Sequence, residues 1–125
     1  MEKKKKVMIV EDDTVLANAL SLALQNEGYE LSIATDGEEA ERMIQQEIPD
    51  LILLDLLLPI KNGFEVLKVI RQNPNTKNIS VVILTNFEQE TSILEGKKLG
   101  AKDYIVKANV DIQDIPEIVK KHLPS

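Results

Sequence analysis

Leu51-Ile52-Leu53-Leu54-Asp55 is an unbroken apolar run closed by a single acid. Four apolar residues without alternation mark a strand covered on both faces, as in a parallel sheet sandwiched between helices. Val81-Val82-Ile83-Leu84 repeats the pattern and ends at Thr85-Asn86, and Val7-Met8-Ile9-Val10 ends at Glu11-Asp12-Asp13. Working outward from these runs, strands are expected at 7–10, 30–34, 51–54, 80–84 and 104–106. Helical patterns fill the intervals, at 15–26, 38–47, 63–72, 89–99 and 112–122. In the first of them Leu16, Ala19, Leu20, Ala23 and Leu24 share a face, with Gly28 to close the helix. Asp36 and Glu39 form a capping-box signature for the second, Asn73-Pro74-Asn75 punctuates the third and Gly100 the fourth. Strict alternation of strand and helix implies right-handed crossovers and a doubly wound α/β domain.

The rest of the composition narrows the function. A chain of 125 residues, 43% hydrophobic, suits one domain, expected to span 1–125 with a solvated basic leader at 1–6. Zero Cys excludes disulfides, thiolate metal sites and catalytic thiols. A net charge of −6, with only Tyr29, Phe64, Phe87 and Tyr104 as aromatics, argues against direct nucleic-acid binding, which needs a basic footprint and often stacking rings. The apolar run behind the lysines is too short for a signal peptide, and nothing approaches a membrane span. A soluble, cytoplasmic chain with no membrane partner is expected.

In doubly wound sheets, ligands sit beyond the carboxyl ends of the strands. The residues there are Glu11-Asp12-Asp13, Asp55, Thr85-Asn86 and Lys107-Ala108. Crowded carboxylates repel one another unless a cation sits among them, and hard oxygen ligands with room for water or phosphate suit Mg²⁺. A carboxylate can also attack phosphorus to give an aspartyl phosphate. A metal, an ammonium and a hydroxyl are the groups that neutralise the oxygens of a moving phosphoryl group. Asp55, the lone acid at the end of its strand, is the best nucleophile candidate. Asp13 reads more simply as a helix cap, and His122 as a cation at a helix C-terminus.

Val10-Glu11-Asp12, Asp55-Leu56-Leu57-Leu58-Pro59 with Asn62-Gly63 behind it, Leu84-Thr85, and Gly100-Ala101-Lys102-Asp103-Tyr104-Ile105-Val106-Lys107 together resemble a two-component response-regulator receiver domain of the single-domain, chemotaxis-regulator type. Each motif alone is weak; five in register at the right strand ends are specific. The resemblance covers essentially the whole chain. It implies a flavodoxin-like strand order 2-1-3-4-5 with helices on both faces. It also implies that Asp55 accepts a phosphoryl group from a sensor histidine kinase or phosphotransfer protein. Mg²⁺ would be held by Glu11, Asp12, Asp55 and the backbone carbonyl of Leu57. Thr85 and Lys107 would bind the phosphoryl oxygens, with Thr85 and Tyr104 as the switch pair. Such a chain is a signalling phosphoacceptor rather than an enzyme, beyond its own phosphorylation and slow self-dephosphorylation. Its output would be contact with a downstream protein, with a homodimer through the fourth helix, fifth strand and fifth helix left open.

Three positions depart from the family pattern. Ala108 stands where Pro usually follows the lysine, so the Lys107–Ala108 bond is expected to be trans, cis costing about 2.5–4 kcal/mol without Pro. Leu57 and Asn86 are bulkier or less polar than usual, and crowding there is expected to lengthen the phosphoryl lifetime. The alternative reading is a receiver-like module that binds partners without phosphate. Its mark would be loss of an acid, the threonine or the lysine, and none is lost. The chain also lacks the Gly-rich loop of a nucleotide or flavin binder.

Overall fold

The computed structural model describes residues 3–124. Strands β1 (Lys6–Val10), β2 (Glu30–Ala34), β3 (Leu51–Leu54), β4 (Ser80–Thr85) and β5 (Asp103–Val106) alternate with helices α1 (Thr14–Gln25), α2 (Gly37–Glu47), α3 (Gly63–Gln72), α4 (Glu90–Lys98) and α5 (Ile115–His122). All neighbouring strands are parallel, in the order β2-β1-β3-β4-β5, as expected.

The apolar runs lack alternation because both faces of the sheet are covered. Met8, Val10, Ile52, Leu54, Val81 and Ile83 face one layer with Ala40, Ile44, Val66, Leu67 and Ile70 of α2 and α3. Val7, Ile9, Leu51, Leu53, Val82 and Leu84 face the other with Ala17, Leu20, Leu24, Ile115 and Val119 of α1 and α5. Each fully buried Leu or Ile contributes about 1.5–3 kcal/mol, so β1, β3 and β4 form a stiff base for whatever projects from their ends.

Local signals behave as chemistry dictates. Asp13 caps α1, its Oδ1 accepting from the Leu16 amide at 3.1 Å. Asp36 caps α2 through the Glu39 amide at 2.7 Å, while Glu39 reaches past the cap to the Thr35 amide at 3.1 Å. The Lys107–Ala108 bond is trans, since no described peptide bond is cis.

Several boundaries move. Lys6 is not leader but the first residue of β1, in register with Glu30, its amide donating to Asp50 Oδ2 at 2.7 Å. The basic leader therefore stops at Lys5, and its Met1 and Glu2, like Ser125 at the far end of the expected domain, lie outside the described residues. The buried stripe of α1 runs Ala17, Leu20, Leu24, with Leu16, Ala19 and Ala23 only partly covered beside it. Thr85 is the last residue of β4 rather than the one after it. The helix expected from 112 starts three residues later: Ile112–Asp114 is a 3₁₀ turn held by reciprocal Asp111–Asp114 bonds. Pro116 explains the delay, because proline fits the first turn of an α-helix but not its interior.

Candidate functional site

Strand register assembles the site. Val10 is paired with Leu54, so the next residues, Glu11 and Asp55, leave neighbouring strands side by side. Both chain exits are tied down: the Glu11 amide donates to Ala34 O at 2.9 Å and the Asp55 amide to Val10 O at 3.0 Å. Glu11 and Asp55 continue the alternation of Ile9 and Leu53, which places their side chains on the α1/α5 side of the sheet. Thr85 is paired with Val106, which puts Lys107 one step beyond the end of β5.

Lys107 closes the group. Its Nζ lies 2.5 Å from Glu11 Oε1 and 2.8 Å from Asp55 Oδ2. Glu11 is 2% exposed and Asp55 4%, so this cation is the main compensation for two carboxylates taken out of water. Burial pushes the Glu11 carboxyl up; the hydrogen bonds from Lys107 and from the Asp13 amide (3.1 Å) oppose that, and the Asp55 charge adds to it. Burial disfavours the charge on Lys107, yet the hydrogen bonds to Asp55 and Glu11 outweigh it and raise its pKa. Asp12 is exposed at the rim. One carboxylate oxygen each from Glu11, Asp12 and Asp55 lie within 4.8 Å of one another, a hard-oxygen set that could hold a divalent metal ion.

The loop after Asp55 is held close by a glycine. The Gly63 amide donates to Leu56 O at 2.9 Å, and a Cβ at Gly63 would sit 2.4 Å from Asp55 O and 2.6 Å from Leu56 Cα. α3 can thus begin directly against the Asp55 backbone, capped by Asn62 through the Glu65 amide at 3.0 Å. Leu57 donates its amide to Asp55 Oδ1 at 3.1 Å and is itself 51% exposed beside the site. Asn86 is likewise exposed.

Thr85 and Tyr104 belong to a second layer. Thr85 is fully buried, and its parity is that of Ile83, on the side of the sheet where Tyr104 packs. Its Oγ1 accepts from the Phe87 amide at 3.3 Å, while Tyr104 donates its hydroxyl to the Phe87 carbonyl. Phe87, which the motifs do not single out, therefore carries the link through its backbone: one end is held by the threonine, the other by the tyrosine. Burial and then the Asp55 charge push the Tyr104 phenol up. Neither Thr85 nor Tyr104 bonds to Asp55 or Lys107 among the described residues. Thr85 does not cap α4, whose N-cap Gln89 has no side-chain bond. His122 pairs with Asp103 at 3.2 Å, at the opposite end of β5 from the site.

A parallel doubly wound sheet with a buried acid pair, a rim acid and a bridging lysine at its carboxyl edge defines a class: α/β domains whose polar site lies beyond the carboxyl ends of the strands, where such sheets take their ligands. The profile of the response regulator receiver domain matches residues 7–120. The chain is 37% identical over 102 residues to the phosphate regulon transcriptional regulatory protein PhoB of Rhizobium meliloti (strain 1021), covering 82% of this chain and 45% of that one. It thus spans under half the length of that relative. Among solved structures it superposes on the Mn²⁺-bound response regulator Rcp1 with a TM-score of 0.85 and 33% identity, covering 97% of this chain and 99% of that one. The phosphorylated cyanobacterial phytochrome response regulator RcpA gives a TM-score of 0.87 at 33% identity, covering 98% and 100%. This chain belongs to the response-regulator receiver family. Receiver domains are signalling phosphoacceptors. Among the described residues no helix is long and apolar enough to cross a membrane.

Proposed function

We propose that Asp55 is the phosphoacceptor of a single receiver domain that spans the chain. The observation that carries this reading is Lys107 bridging Asp55 and Glu11 where, among the described residues, three carboxylates meet. A carboxylate oxygen of Asp55 attacks phosphorus, the P–O bond forms as the bond to the donor nitrogen breaks, and the histidine side chain leaves. The donor is a sensor histidine kinase or a histidine phosphotransfer protein.

The residues fit Mg²⁺: Glu11, Asp12, Asp55 and the Leu57 carbonyl offer the hard oxygens this ion takes, with positions left for water and phosphate. Bound there, Mg²⁺ would neutralise charge on the carboxylates and on the incoming phosphoryl oxygens. The protein supplies the rest. Lys107 stays protonated at neutral pH, since its partners raise its pKa, and moves from the carboxylate pair toward a phosphoryl oxygen. Thr85 turns its hydroxyl to the same group. Because Thr85 also holds the Phe87 amide, and Tyr104 the Phe87 carbonyl, that turn is felt at once by the loop leading to α4. The output is contact between the α4–β5–α5 face and a downstream protein in the cytoplasm, and a second copy of the chain can use the same face.

The test is incubation with Mg²⁺ and acetyl phosphate, read by intact mass. One phosphoryl group should add to the parent and none to Asp55→Asn. Labelling that survives Asp55→Asn or needs no divalent ion contradicts the reading.

A further inference from the structure

Arg71, in the last turn of α3, is bonded to four backbone carbonyls. Its Nε donates to Leu99 O at 2.7 Å, Nη2 to Gly100 O at 3.0 Å, and Nη1 to Lys77 O at 2.8 Å and Ile79 O at 2.9 Å. No carboxylate pairs with it among the described residues, and burial depresses its pKa. A planar five-donor fork suits such a task, whereas an ammonium is a point charge. Two of the four acceptors lie just past the C-terminus of α4, where a cation also meets the negative end of the helix. Gly100 has φ +79, and a Cβ there would come within 3.1 Å of Arg71 Nε, so the turn is shaped around the guanidinium.

The other end of α4 is held only upstream of the helix, through the Phe87 peptide group. Gln89 gives no side-chain cap, and Asn86, Glu88, Gln89, Glu90 and Thr91 are exposed. The only buried residues of α4 are Ser92 and Gly96, whereas α3 buries the larger Val66, Leu67 and Ile70. With such small side chains α4 contributes little of the apolar burial that fixes the other helices. We propose that Arg71 is a positioning residue that pins the C-terminal end of α4 to α3 and to the 77–79 segment that leads into β4, making α4 a lever whose freer end is the one joined to Thr85 and Phe87. Displacement at the site end then becomes a swing about Lys98–Gly100 rather than a translation of the helix.

The absence of Cys makes the test clean. Spin labels are placed on Asn18→Cys in α1 and on either Thr91→Cys or Lys98→Cys, all exposed positions, and distance distributions are measured in the unphosphorylated protein. The lever requires a broader distribution for the 91 label than for the 98 label. In Arg71→Met the 98 distribution should broaden toward the 91 one, with Arg71→Lys intermediate, while the 91 distribution changes least. Equal widths in the parent overturn the proposal, whether or not the Arg71 variants fold well. So does a 98 label that stays narrow in folded Arg71→Met. Neither readout depends on phosphorylation, so its failure is distinct from failure of the phosphoacceptor reading.

Discussion

Replacing Lys107 with Met removes the one cation between Glu11 and Asp55 and keeps the side-chain bulk. Two carboxylates, 2% and 4% exposed, are then left with oxygens within 4.8 Å of each other. At an effective dielectric of about 20 their repulsion at that distance is about 3.5 kcal/mol. The alternative is to protonate one of them. Glu11 is the candidate, because burial already pushes it up from 4.5. Binding a proton costs at most about 4 kcal/mol near pH 7.5 and much less near pH 5.5. The variant should therefore lose about 3 kcal/mol of unfolding free energy near pH 7.5, in line with removal of one partner from a buried ion pair. The sign follows from proton uptake: with its folded pKa above the unfolded one, Glu11 binds more protons in the folded state. Stability then rises as pH falls through the folded pKa, and the deficit shrinks between pH 7.5 and pH 5.5. Millimolar Mg²⁺, supplying charge to the same oxygens, should restore more stability to the variant than to the parent. Urea unfolding followed by circular dichroism, at both pH values with and without Mg²⁺, measures all three effects. A loss under about 1 kcal/mol near pH 7.5, as for an exposed pair, or a deficit that does not change with pH, would refute the reasoning.

Other outcomes follow from the same geometry. Leu57, 51% exposed beside Asp55 and unable to orient a water, should slow hydrolysis of the aspartyl phosphate. Leu57→Asn with Asn86→Ala should shed its phosphoryl group on the order of tenfold faster, about 1.4 kcal/mol of barrier, timed by intact mass after donor removal; equal or slower loss defeats the gating idea. Gly63→Ala drives a Cβ to 2.4 Å from Asp55 O, so it should cost about 1–3 kcal/mol of stability and slow labelling, checked by urea unfolding and initial rates. Asp13→Ala removes the α1 cap and should cost about 0.5–2 kcal/mol with labelling intact; loss of labelling at unchanged stability would move Asp13 into the site.

The strands were legible because Leu51–Leu54 and Val81–Leu84 are apolar at every position, and only a doubly covered sheet accepts that. The site residues were legible for a related reason: acids directly after such runs must emerge at the carboxyl edge. What stayed hidden depends on partners far away in the chain. Arg71 reads as an ordinary basic residue in a helix's last turn, and nothing near it announces carbonyls at 99 and 100. Phe87 acts through its peptide group, so its side-chain identity carries no signal. The late start of α5 is written in Pro116, which fits the first turn of a helix but not its interior. Ile60, with φ +71 and 70% exposure, defies pattern reading, since a β-branched residue rarely adopts that backbone.

Borohydride trapping tests the central claim most directly. An acyl phosphate on an aspartate is reduced to homoserine, which marks its position in the chain permanently. After reaction with acetyl phosphate and Mg²⁺, borohydride treatment and peptide mapping should place homoserine at position 55 alone, and omitting Mg²⁺ should abolish it. Homoserine at position 11, 12 or 13, or none at 55 in protein that has gained a phosphoryl group, would contradict the assignment of Asp55 as the acceptor.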